Sequence, residues 1–151
     1  MYVRVYAGRH PAEVAGLVLV DPFTPDRFRG LIAVALRDLA ARWQANLDGN
    51  IRSVETTERL DWTVSEAELA RVALRDLAVE VLVVPQPFAS DPFIADTDRV
   101  RLAAAWGAGM ESLSTHVRVT LAPGSSHMIQ WDRPELVIEA VERLVATVRG
   151  G

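Results

Sequence analysis

Three short aliphatic runs constrain the fold of this chain more than any other feature. They are AGLVLVDP at 15–22, VEVLVV at 79–84 and VRVTLA at 117–122. Aliphatic runs of this length are typical of strands that are buried on both faces, as in parallel sheets. The segments between them are long enough for right-handed crossovers. We therefore predict an α/β fold with three parallel strands flanked by helices on both faces of the sheet.

Helical patterns fill the intervals between these runs. Ser65 and Glu68 have the spacing of a capping box, which predicts a helix over 65–77. A short opening helix ends before Pro11, because proline disfavours helical geometry at the preceding residue. Apolar residues at helical spacing predict the opening helix and two long ones, over 2–9, 26–48 and 97–113.

The last helix has the clearest signals at its start. Asp132 is the predicted N-cap, and Pro134 suits the first turn, where its missing N–H costs nothing. The apolar positions that follow recur at helical spacing. We expect them to form a buried stripe made of Val137, Val141, Leu144, Val145 and Val148.

Composition excludes several classes of function. At 151 residues and 50% hydrophobic content the chain has the size of one domain. The net charge is −4 and the basic residues are dispersed, so we expect no nucleic-acid partner. No apolar run reaches the length of a membrane span and the first ten residues lack a signal-peptide core, so we expect no membrane association and a soluble, cytoplasmic protein.

Residue usage also limits the chemistry. The chain has no cysteine, which excludes disulfides, thiolate metal sites and a cysteine nucleophile. All basic residues are arginine, which excludes a catalytic lysine. His10 and His116 have no second ligand at metal spacing, so we predict neither a metal site nor a cofactor.

Three titratable residues follow the three predicted strands. Asp21, Asp91 and His127 all come after the carboxyl end of a strand, the edge at which parallel sheets bind ligands. A carboxylate that orients a histidine supplies two parts of a nucleophile–base–acid relay. Topology therefore predicts a candidate catalytic site at this edge.

Two segments resemble α/β-hydrolase-fold serine hydrolases of the esterase-like kind. MYVRVYAGRHPAEVAGLVLVDP is similar to the segment after the nucleophile elbow of that family, and GSSHMIQWDRPELVIEAV is similar to its terminal motif. The matches occur in family order and cover essentially all of this chain, but only the second half of the family's domain. The resemblance implies a partial α/β-hydrolase fold over 1–151, with a helical cap-like insertion at 22–77.

The resemblance also implies roles for single residues. It makes His127 the catalytic base and places the acid at Asp91, within FASDPF. Asp21 is the alternative acid, because some members of the fold use the end of the preceding strand. Asp91 is the favoured choice of the two, and further candidates for the acid are Asp96 and Asp98. We do not expect a nucleophile among the loop serines Ser125 and Ser126, since they lie on the base's own loop rather than on a strained elbow.

The nucleophile itself is missing from the pattern. No G-x-S-x-G occurs in these residues, and the resemblance places that motif just before Met1. The expectation is a C-terminal portion of a serine hydrolase, inactive alone, whose parent enzyme hydrolyses a small apolar ester-like substrate. Aromatic residues of the cap-like insertion that could line its pocket are Phe23, Phe28, Trp43 and Trp62.

A second hypothesis is a non-catalytic binding or assembly module that keeps the hydrolase half-fold. In such a module the strand at 17–20 would lack a neighbour on one side. An unpaired apolar strand edge promotes pairing with another chain. This hypothesis therefore predicts a homo-oligomer or a strand-donating partner.

Overall fold

The computed structural model describes residues 2–22, 56–57, 61–85, 97 and 109–150. The predicted helix at 26–48, most of the one at 97–113 and the loop with Asp91 lie outside these residues. The described elements, in chain order, are α1 (Tyr2–Arg9), a 3₁₀ turn (Pro11–Glu13), β1 (Gly16–Val20), α2 (Trp62–Leu69), β2 (Ala78–Val83), β3 (Val117–Leu121), α3 (Ile129–Asp132) and α4 (Pro134–Gly150).

The three strands form one parallel sheet in the order β1-β2-β3. Leu19 of β1 lies opposite Val81 of β2, which in turn lies opposite Val119 of β3. Strand β2 is in the middle, and Val81 and Leu82 within it are fully buried. The predicted parallel sheet is confirmed, and each strand begins or ends within two residues of its predicted bounds.

Helices cover both faces of the sheet, as predicted. On one face, Ala7 of α1 packs with Leu17, Leu19 and the odd-numbered valines of β2. On the other face, Leu82 and Val84 pack with Ile129 of α3 and Ala140 of α4. Successive strand residues point to opposite faces, so a continuous aliphatic run supplies both clusters. None of the described helices is long and apolar enough to cross a membrane.

A glycine allows α4 to lie close to β1. A Cβ atom at Gly16 would be 2.6 Å from Leu144 Cδ1 and 3.1 Å from the Ala78 carbonyl oxygen. The first contact is shorter than packed carbon atoms tolerate. The missing side chain at Gly16 therefore leaves room for Leu144 of α4 to pack over the start of β1.

The central strand also carries a buried carboxylate that the sequence analysis did not single out. The side chain of Glu80 is only 9% exposed and points toward α4, where Arg143 Nη2 donates to its Oε2 at 3.0 Å. Arg118 of β3 pairs with the other carboxylate oxygen of Glu80, with Nε 3.8 Å from Oε1. Charged groups on a buried strand are costly unless they are paired, and this pair ties α4 to the sheet.

Helix α2 begins earlier and ends earlier than predicted. Its N-cap is Asp61, whose Oδ1 accepts the Val64 amide at 2.9 Å. Ser65 is therefore not the cap, and its hydroxyl instead donates to the Asp61 carbonyl. The helix stops at Leu69, and Arg75 has a φ of +49°, which a helix cannot contain. The apolar residues after Leu69 keep helical spacing, but the segment is not helical. Leu74 lies in the core, and Val72 and Leu77 pack against it.

The prediction for the last helix was wrong at its start and on one face. Asp132 ends the short helix α3, and its carboxylate accepts bonds from Ser126 instead of capping α4. Of the predicted buried stripe, Val137 and Leu144 face the sheet, whereas Val141, Val145 and Val148 are exposed. Ala140 is the buried residue near the middle of α4, and its small side chain lets the helix approach the sheet closely.

The central strand should carry most of the packing energy of the sheet. Leu82→Ala opens a cavity at a fully buried position, and we expect unfolding free energy to fall by about 2–5 kcal/mol. Leu121→Ala, on the adjacent strand but 58% exposed, is the matched control and should change it by less than about 0.5 kcal/mol. Urea denaturation followed by circular dichroism measures both, and equal losses would contradict the assigned core.

The buried carboxylate predicts an unequal effect of two arginine substitutions. Arg143→Ala removes the 3.0 Å partner of Glu80, and after allowance for the partial exposure of Arg143 we expect a loss of about 2 kcal/mol. Arg118→Ala removes only an exposed partner at 3.8 Å and should cost less than about 1 kcal/mol. Denaturation midpoints compare the two variants, and a larger loss for Arg118→Ala would contradict the pairing.

Candidate functional site

Two hydrogen bonds hold Asp21 at the carboxyl end of β1. Its amide donates to the Leu82 carbonyl at 2.8 Å, which continues the parallel ladder by one residue. Its Oδ1 accepts the Val84 amide at 3.4 Å, just beyond β2. The backbone has a φ of +39°, a left-handed conformation that aspartate tolerates better than most residues. Asp21 therefore has little freedom, and its side chain is 4% exposed.

His127 contacts the remaining oxygen of this carboxylate. Its Nδ1 lies 2.6 Å from Asp21 Oδ2. An ionised carboxylate can only accept, so in the neutral imidazole Nδ1 carries the proton and Nε2 keeps its lone pair. The imidazole side chain is 70% exposed, so the ring projects from the sheet edge with one buried contact to the acid.

This arrangement suits general base catalysis. The carboxylate selects the tautomer in which Nε2 can take a proton, and it stabilises the imidazolium that forms as it does so. In hydroxyl-nucleophile enzymes the base and its orienting acid are related in this way. The pair is therefore an acid–base dyad that can activate a hydroxyl group brought to Nε2.

The loop before α3 carries His127 across the sheet. His127 follows β3, whereas Asp21 follows β1, and β2 lies between them. The loop must span two strand spacings, roughly 10 Å. It begins with a turn at Pro123–Gly124, where Gly124 has a φ of +76° that favours glycine. This turn helps to direct the chain back over the end of β2.

The structure brings together two of the three predicted site residues. Asp21 and His127 are in contact, although Asp91 was the favoured acid. Asp91, Asp96 and Asp98 lie outside the described residues, as do Phe23, Phe28 and Trp43. Trp62 begins α2.

The loop serines are tied to the loop itself. The Ser125 hydroxyl donates to the Ala122 carbonyl at 2.8 Å, and the Ser126 hydroxyl donates to Asp132 Oδ2 at 2.6 Å. No group of three metal-ligating side chains occurs in the described part of the chain.

The sequence did not predict that Asp132 would bond to the loop that carries His127. Asp132 Oδ2 accepts both the Ser126 amide, at 2.7 Å, and its hydroxyl. These bonds hold the pKa of Asp132 below the ordinary aspartate value, because they stabilise the charged form. Both the predicted N-cap and this role need an oxygen acceptor near a helix start, so the sequence does not distinguish them.

Comparisons with known proteins add nothing to this geometry: no family model, no curated protein and no solved structure matches the chain.

The tautomer of His127 should depend on Asp21 alone among the acid candidates. Asp21→Asn keeps an oxygen for the Val84 amide but can turn an NH₂ group toward Nδ1, so we expect the ring to switch to the Nε2–H tautomer. Long-range ¹H–¹⁵N correlation spectra of the imidazole report the tautomer directly. Asp91→Asn is the matched control and should leave the spectrum unchanged; a switch in that variant instead would identify Asp91 as the partner.

Proposed function

We propose that Asp21 and His127 are the acid and the base of an α/β-hydrolase-fold serine hydrolase that cleaves a small apolar ester. The observation that carries the proposal is the 2.6 Å contact between a buried carboxylate and an exposed imidazole at the carboxyl edge of a parallel sheet. The resemblance of the flanking segments to that family supports the same assignment. The contact with His127 supports Asp21 as the acid, and Asp91 lies outside the described residues.

The proposed reaction proceeds in two proton-coupled steps. His127 Nε2 takes the proton of a serine hydroxyl as its Oγ bonds to the ester carbonyl carbon. The imidazolium then gives that proton to the alcohol oxygen as the ester C–O bond breaks, which leaves an acyl-serine. Water repeats the sequence, releasing the carboxylic acid and restoring serine, and Asp21 stabilises the imidazolium each time.

The proposal needs a serine from outside the 151 residues. These residues hold no G-x-S-x-G, and the two loop serines donate to Ala122 and Asp132. Both oxyanion-hole donors of this family come from the elbow and an earlier loop, so they too would lie outside. The reading frame upstream of the Met1 codon is where the resemblance places the elbow.

Ester hydrolysis by the protein translated from that longer frame tests the proposal. We expect a G-x-S-x-G there, and hydrolysis of short-chain p-nitrophenyl esters whose kcat falls about 10⁴-fold in Asp21→Asn, because the base then holds the wrong tautomer. Asp91→Asn is the control and should stay within a few-fold of the parent. A frame without the motif, or covalent labelling of a serine in 1–151 by a fluorophosphonate, would contradict the proposal.

A second candidate, the non-catalytic assembly module, is favoured by exposed apolar side chains. In the described region β1 pairs with β2 alone, and apolar residues of α1 and α4 are about half exposed, namely Tyr2, Val3, Tyr6, Ile138 and Val141. An unpaired strand edge beside exposed apolar side chains favours contact with a second chain. The module requires an oligomer or a bound partner, so a monomeric, cooperatively folded chain in light scattering and denaturation would exclude it.

A further inference from the structure

The loop that carries His127 contains several side-chain hydrogen bonds between two buried anchors, Ala122 and Ile129. The imidazole is 70% exposed, so surrounding side chains do little to fix its rotamer. Its hydrogen bond to Asp21 forms only if the loop delivers the ring to the end of β1. The position of the base therefore depends on what fixes the backbone on either side of residue 127.

Asp132 fixes that backbone from both sides. Its Oδ2 accepts the Ser126 amide at 2.7 Å and the Ser126 hydroxyl at 2.6 Å. The same hydroxyl oxygen accepts the Met128 amide at 3.2 Å. One carboxylate thus holds the residue before His127 directly and the residue after it through a single hydroxyl group.

The neighbouring residue adds a second tie at the start of the loop. Arg133 Nη1 donates to the Pro123 carbonyl at 3.0 Å, and the Arg133 guanidinium pairs with Glu135. The Asp132–Ser126 bonds are charge-assisted, and bonds of this kind are about twice as strong as neutral ones. They are well suited to hold a solvent-exposed loop in one conformation.

We propose that Asp132 is a positioning residue for the base, which holds His127 against Asp21 through Ser126. The proposal rests on the proposed function for its catalytic meaning. It deepens that function by assigning control of the dyad's geometry to a residue that acts on the imidazole through Ser126 and the loop backbone.

The tautomer of His127 tests the positioning role without any assay of activity. In the full 151-residue chain we expect the Nδ1–H tautomer, and in Asp132→Ala a mixture with the Nε2–H form, because the ring then spends part of its time away from Asp21. Glu139→Ala, an exposed carboxylate on α4 that pairs only with Arg143 in the structure's described part, is the matched control and should resemble the parent. The rings of His10 and His116 report whether the fold is intact.

A second variant keeps the test decisive if Asp132→Ala unfolds. Ser126→Ala retains the amide bond to Asp132 but removes the hydroxyl that links Asp132 to the Met128 amide. We expect the same change of tautomer, to a smaller extent. Wild-type tautomers in a folded Asp132→Ala, or in Ser126→Ala if the first variant does not fold, would overturn the proposal.

Kinetics in the longer, elbow-containing protein separate this proposal from the proposed function. There, Asp132→Ala should lower kcat by about 10²-fold with little change in KM, since a misplaced base affects the chemical step more than binding. If no hydrolysis is found but the tautomer changes, the function fails and the positioning role stands. If hydrolysis is found and neither kcat nor the tautomer responds, the positioning role fails and the function stands.

Discussion

The carboxylate of Asp21 joins the sheet to the candidate site. Through its amide it extends the pairing of β1 with β2, and through Oδ1 it holds the chain that leaves β2. Its second oxygen is then the only one left for His127, at 2.6 Å. Because the backbone of Asp21 is already committed to the strand ends, the direction in which it presents a negative charge is set by the sheet.

The base reaches this charge from the far strand. A residue after β3 would most easily meet a residue after β2, its immediate neighbour in the sheet. The observed partner lies one strand further, so the loop needs a reversal at Gly124 and internal ties through Ser126 and Asp132. Distance across the sheet thus explains why this loop carries a dense set of hydrogen bonds while its histidine is exposed.

Much of the fold could be predicted from the sequence, whereas the identity of the aspartate that contacts His127 could not. The aliphatic runs of β1, β2 and β3 predict a parallel sheet because only burial on both faces suits them. The topology predicts Asp21, Asp91 and His127 at one edge. The contact between Asp21 and His127, however, depends on a left-handed backbone conformation and a loop path that leave no periodic signal. The predicted N-cap of α4, Asp132, was wrong for a related reason: an aspartate oxygen can accept from any of several nearby amides.

The buried pair of Glu80 and Arg143 has a consequence for how the chain finds its strand alignment. The valines of β2 are nearly interchangeable, so they alone would tolerate a shift of the strand by one residue. Such a shift turns every side chain to the opposite face. It would move Glu80 away from Arg143 and into the cluster formed by Ala7, Leu17, Leu19 and Leu74. One charged residue in a run of valines therefore penalises misaligned sheets during folding.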